Sequence, residues 1–121
     1  MNVAISAQSN DIDSLVDPRF GRARWFIIAD SETGEWQAQD NAANVDASGG
    51  AGIQAAATVA AHGVQALITG NVGPNAHTAL VAGEIAIYQV DNGVSARDAL
   101  DALRRGELTV VEGPTMSGHW A

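Results

Sequence analysis

Apolar residues crowd the start of the chain with weak alternation, so residues 2–7 (N-V-A-I-S-A) read as a first, buried strand. Residues 8–21 are polar, hold several turn formers and one Asp17-Pro18 step, and read as a loop. Residues 24–30 (R-W-F-I-I-A-D) and 35–40 (E-W-Q-A-Q-D) flank Ser31-Glu32-Thr33-Gly34, which predicts a β-hairpin. Residues 41–50 drift into glycine as a second loop. Residues 51–62 predict a helix with Ile53, Ala56, Ala57 and Ala60 on one face, stopped by Gly63 where a left-handed residue is wanted. A short buried strand over 65–69 (Q-A-L-I-T) leads into the glycine-proline loop 70–75, whose Pro74 suits the first position of a helix running to about Val81. Residues 84–90 (E-I-A-I-Y-Q-V) form another strand. Ser95 caps the last helix, with Asp98 near its N-terminus, Leu100 and Leu103 inward, and Arg104 and Arg105 complementing its C-terminal dipole. Residues 107–121 show no clear period and are expected to be partly disordered.

The element order is therefore β-β-β-α-β-α-β-α. Two strand–helix–strand crossovers in the second half require parallel strands, and the hairpin adds an antiparallel one. The expected fold is an α/β, three-layer α/β/α sandwich on a mixed five-stranded sheet with one antiparallel strand. Residues 1–111 are expected to form a single domain and 112–121 a flexible tail.

Composition narrows the chemistry. The 121 residues fit one domain, and no run approaches the roughly 18–20 apolar residues of a membrane span. The N-terminus lacks the basic region of a signal peptide, and the chain has no cysteine, so a cytoplasmic location is expected. Without cysteine, thiolate-held zinc and iron–sulfur sites are excluded, and a bound metal must bring its own soft ligands or use His, Met, carboxylate or backbone. The net charge of −8 argues against nucleic acid as a partner. All six basic residues are arginines, and Arg19, Arg22 and Arg24 fall within six positions. A positive spot on a negative body suits a compact anion.

That spot lies in V-D-P-R-F-G-R-A, residues 16–23. Arg19 and Arg22 can present planar donor forks to an anion, with Phe20 as an apolar wall and Gly21 allowing close approach. The competing reading is a tight turn in which Asp17 pairs with an arginine and Phe20 plugs the core. Residues 47–52 open the first helix, where Gly50 and Gly52 leave amides free for an anion. Gly50, Gly52 and Ala55 also satisfy G-x-G-x-x-A, but no strand directly precedes this turn and no acid lies between Asp46 and Glu84, which rejects a dinucleotide site. The loop Gly70-Asn71-Val72-Gly73-Pro74-Asn75 sits where open α/β sheets place ligands, although such loops are also purely structural. His77, in the first turn after it, is a candidate ligand contact, and His62 at a helix end is a weaker one. Met116 and His119 could offer soft donors to copper. There is no G-x-S-x-G, no cysteine nucleophile and no H-E-x-x-H, so no residue stands out as catalytic.

Residues 16–23, G-A-G-I at 50–53, and A-A-H-G-V-Q-A-L-I-T-G-N-V-G-P-N-A at 60–76 together resemble the dinitrogenase iron–molybdenum cofactor biosynthesis family, in order and spacing from about residue 1 to 105. The resemblance implies a ribonuclease-H-like motif fold and non-covalent binding of a metal–sulfur cluster or an iron–molybdenum cofactor precursor. For stand-alone, cysteine-free members it implies a molybdenum–copper sulfide cluster. By position it implicates Arg19, Phe20 and Arg22, the loop Asn71 to Asn75, and His62. The chain would then be a monomeric cluster carrier, with a recipient or assembly protein as a further partner. Such a cluster is anionic and carries its own sulfides, so it asks for arginine forks, backbone amides and apolar walls. Two other classes stay open: an interaction module whose arginine loop docks an acidic protein, and a nuclease or hydrolase on the same fold. The latter needs carboxylates on the central strands, and residues 3–7 have none.

Overall fold

The apolar run at the N-terminus becomes β1 (Asn2–Ala7), followed by β2 (Trp25–Asp30), β3 (Trp36–Asp40), α1 (Ala42–Val45), α2 (Ala51–Ala61), β4 (Ala66–Thr69), α3 (Pro74–Ala82), β5 (Ala86–Gln89) and α4 (Ala96–Arg104). These elements come from a computed structural model that describes residues 1–45 and 49–115. The strands form one mixed sheet in the order β3-β2-β1-β4-β5, with β1 at its centre. β1 runs parallel to β4, and β4 to β5, whereas β2 is antiparallel to both β1 and β3. β2 is thus the single reversed strand that the hairpin required.

Successive side chains of a strand point to opposite faces, and here they feed two cores. Ala4, Phe26, Ile28, Leu67 and Ile87 pack with Ala55, Val59, Ala76 and Leu80, which are contributed by α2 and α3. Val3, Ile5, Ala7, Ile27, Ala29, Ala66 and Ile68 pack with Ala96, Ala99 and Leu100 of α4. Pro74 begins α3 as expected, and the Ser95 hydroxyl accepts the Asp98 N–H at the start of α4.

Several expectations change. α2 turns Ala51, Gly52, Ala55, Ala56 and Val59 inward and leaves Ile53 48 % exposed, with Ala57 and Ala60 also outside. Its sequence A-G-I-Q-A-A-A-T-V-A-A has almost no polar residue to mark an outer face. Small side chains face inward because α2 and α3 lie against the sheet and each other. The 8–21 segment is not merely a solvated loop: Ile12 and Val16 are buried, and single bridges tie Val16 to Ala7 and Leu15 to Ser95. Arg104 and Arg105 pair with Asp101 and Glu107. Residues 107–115 form no helix or strand, yet they are tied down: the Val111 N–H donates to the Ile87 carbonyl, and Thr115 is hydrogen-bonded to Val72. The chain stays on the domain at least as far as residue 115. No helix among the described residues is long and apolar enough to cross a membrane.

Candidate functional site

The topology gathers loops at one edge. β1, β4 and β5 are parallel, so their C-terminal ends lie together. β2 starts at that edge, with Trp25 opposite Ala7, and β3 ends there, with Asp40 opposite Trp25. Residues 8–24, 41–45, 49–50 and 70–73 therefore meet where α2 and α3 begin, which is the ligand edge of an open α/β sheet. Gly50 and Gly73, the N-cap residues of α2 and α3, provide no side-chain cap, and neither helix has an acid in its first turn. The positive ends of both helix dipoles thus meet no carboxylate from their own first turns.

The arginine loop is fastened to this edge by its backbone. Asp17 N–H donates to the Ser6 carbonyl at 2.8 Å, and Ser6 Oγ donates to the Asp17 carbonyl at 2.8 Å. Ser6 Oγ also lies 2.7 Å from Thr69 Oγ1, and since Ser6 has one proton, Thr69 is the donor in that pair. Two residues further on, Arg19 bridges to Asn71 in parallel register, with Phe20 N–H donating to the Asn71 carbonyl at 3.2 Å. Thr115 closes the other side of the 70–73 loop: its N–H donates to the Val72 carbonyl at 2.9 Å, and its Oγ1 accepts from the Val72 N–H at 2.8 Å.

The side chains then divide. Arg19 is half exposed, with Nε 3.7 Å from Asp17 Oδ1. Arg22 is partly buried, and its Nη1 donates to the Val45 carbonyl at 2.8 Å, spanning from the arginine loop to the segment before α2. Arg24 turns the other way, pairing with Asp40 and lying over the Trp25 ring at 5.4 Å. Asp40 is held below its ordinary carboxylate range, first by the Ala42 N–H and then by Arg24. Phe20 is 1 % exposed and packs on Phe26 at 5.4 Å between ring centroids, so it anchors the loop from beneath. Gly50 and Asn75 are exposed, Gly52 and Gly73 buried. His77 sits in the first turn of α3, and its Nε2 is buried with no hydrogen-bond partner among the described residues.

Arg19, Arg22, Asn71, Gly73, Asn75, His77 and the Gly50–Gly52 turn thus belong to one edge. His62 does not. It follows α2 at its far end, where its Nε2 lies 3.0 Å from Gln39 Oε1 and the ring lines a hollow with Asn2, Asp30 and Glu35. Met116 and His119 lie outside the described residues. Among the described residues no cluster of three or more His, Asp or Glu could hold a bare metal ion. β1 and β4 carry no carboxylate. The competing reading of the arginine loop, with Asp17 paired to an arginine and Phe20 in the core, is what the side chains show, while sequence reasoning passed over Ser6, Thr69 and Thr115 as site-building residues. The signal available was two hydroxyls, Ser6 and Thr69, closing otherwise apolar strands.

This is an α/β domain with arginines and two helix starts without side-chain caps at the carboxyl edge of its parallel strands. The chain belongs to the dinitrogenase iron–molybdenum cofactor family, whose pattern it matches over residues 1–106. It is similar to the orange protein of Desulfovibrio gigas, solved in its apo form, at 39 % identity and a TM-score of 0.92, covering 95 % of this chain and 96 % of that one. A proposed NifB protein from Thermotoga matches at 35 % identity and a TM-score of 0.82, over 95 % of this chain and 97 % of its own. An uncharacterized protein of Methanocaldococcus jannaschii is 29 % identical over 114 residues, 93 % of this chain and 92 % of that one.

Proposed function

We propose that this chain binds an anionic metal–sulfur cluster without covalent bonds, either a molybdenum–copper sulfide or an iron–molybdenum cofactor precursor, and carries it as cargo to a recipient or assembly protein. The observation that carries the reading is the stitching of the arginine loop onto the loop before α3. The Arg19–Asn71 bridge puts the backbone of a half-exposed arginine beside the loop that leads into α3, a helix whose first turn has no acid. The donor set fits this cargo. Sulfides on a cluster accept hydrogen bonds from guanidinium and amide N–H groups, so no protein thiolate is needed. His77 Nε2, buried and unpartnered, is a further polar atom at the same edge. In the same reading, the helices on both faces of the sheet form the three-layer sandwich with the ribonuclease-H-like motif.

The test is reconstitution of the apo-protein with tetrathiomolybdate and copper, followed by visible absorption and metal analysis. The expected product is a coloured protein with a fixed ratio of molybdenum to copper. Arg19→Ala and Arg22→Ala each remove charge-assisted hydrogen bonds worth about 1.5–3 kcal/mol, so affinity should fall roughly ten- to a hundred-fold. Lysine should rescue in part, because it keeps the charge and loses the fork. Binding should weaken with salt. If the double alanine variant, folded by circular dichroism, takes up a full complement of metal at unchanged affinity, the cluster is held elsewhere.

A further inference from the structure

We propose that Asp17 is the positioning residue for Arg19: its carboxylate sets the direction of the guanidinium that faces the ligand, without touching the ligand itself. The proposal rests on the anion-binding reading above and adds a residue to it.

Asp17 is 7 % exposed, the one buried ionisable side chain among the described residues. A carboxylate at the edge proposed to attract an anion is out of place unless it acts on something else, because its charge would repel the ligand. Desolvating it is also costly unless it is paired. Both difficulties are met by the same neighbour. Asp17 Oδ1 accepts the Arg19 N–H at 2.9 Å, a side-chain turn spanning Pro18, and lies 3.7 Å from Arg19 Nε. The carboxylate thus holds the Arg19 backbone by a hydrogen bond and draws the inner nitrogen of its guanidinium by charge, as an ion pair at 3.7 Å. The two outer nitrogens remain as a fork for the ligand.

The carboxylate is itself fixed from below. The Asp17 N–H and carbonyl are both taken by Ser6, and Ser6 in turn is held by Thr69. β1 and β4 are central strands of the sheet, so the geometry of Arg19 is referred to the most rigid part of the molecule. An exposed arginine has many rotamers, and ordering it on binding costs affinity. A prearranged one avoids most of that cost.

The test is a double-mutant cycle read by titration of the apo-protein with tetrathiomolybdate, with circular dichroism and thermal melts on every variant. Asp17→Ala should weaken binding about ten-fold. Asp17→Asn, which keeps the acceptor for the Arg19 N–H and loses the charge facing Nε, should fall between wild type and Asp17→Ala. In an Arg19→Ala background, Asp17→Ala should cause no further loss, since the group it positions is gone. Should Asp17→Ala fail to fold, Asp17→Glu serves instead. It keeps the charge but shifts the oxygens by one methylene, and must show the same loss and the same silence behind Arg19→Ala. Additive losses, or unchanged affinity in folded Asp17→Ala, overturn the proposal. If Arg19→Ala and Arg22→Ala leave binding intact, the failure lies in the placement of the ligand site itself.

Discussion

Gly70 and Pro18 meet backbone to backbone: a Cβ built on Gly70 would lie 2.5 Å from the Pro18 Cα and 2.9 Å from its carbonyl oxygen. The φ of Gly70 is not in the left-handed region, so its glycine is required by proximity alone. The arginine loop rests directly on the first residue after β4.

Gly70→Ala should therefore push the two loops apart. Overpacking of this kind costs about 1–3 kcal/mol, and here the obstacle is backbone with no flexible side-chain end to give way. Urea unfolding should show the loss, and tetrathiomolybdate affinity should fall with it. An alanine variant with wild-type stability would mean that the loops can separate freely.

Thr115→Val should destabilise the domain although it lies near the end of the described chain. The substitution keeps the shape and removes the acceptor of the Val72 N–H, in a residue that is 1 % exposed. An unmet buried amide costs on the order of 1–3 kcal/mol, so the melting temperature should drop by several degrees. Thr115→Ser, which keeps the hydroxyl, should melt close to wild type.

His77→Leu should separate stability from binding. Nε2 is buried without a partner among the described residues, and replacing such an atom by carbon is neutral or stabilising by about 1 kcal/mol. If His77 contributes to the ligand edge, the same variant should melt at or above the wild-type temperature while taking up less cluster. A large fall in melting temperature would show that the imidazole holds the fold.

Asp40 links the edge to pH. Its carboxylate is lowered from 3.8 in the folded protein, chiefly by the Ala42 N–H and then by Arg24. A depressed folded value means the charged form contributes stability above the unfolded value, and that contribution is lost as pH falls through the lower folded one. Wild type and Asp40→Asn should differ in stability above about pH 4 and converge as the solution is acidified below it. Curves that stay parallel throughout would remove Asp40 as the cause.

Much of this architecture was legible because its signals are local. The apolar run of residues 3–7, Pro74 at a helix start and Ser95 with Asp98 each announce an element within a few positions. The strand order then follows from handedness, and it places Arg19 and Asn71 at one edge. The inward face of α2 was not legible, because a helix made largely of alanine offers no contrast between its sides. His62 already reads as a helix-end residue, and 11 helical residues at about 1.5 Å rise set it at the opposite end of α2 from the Gly50–Gly52 turn. Asp17 reads as a turn-former in an Asp-Pro step, and its burial depends on Ser6, eleven positions earlier. Thr115 meets Val72 across 43 positions, a distance that no local pattern reports.

That last contact sets an order of events in the cell. The 70–73 loop cannot acquire its Thr115 neighbour until the ribosome has made nearly the whole described chain and released its C-terminal segment. A nascent chain holding Arg19 and Asn71 already has both arginines and both helix starts, yet the edge they form is unsupported on one side. A chain cut short before residue 115 would therefore lack one support of this edge even with every arginine in place.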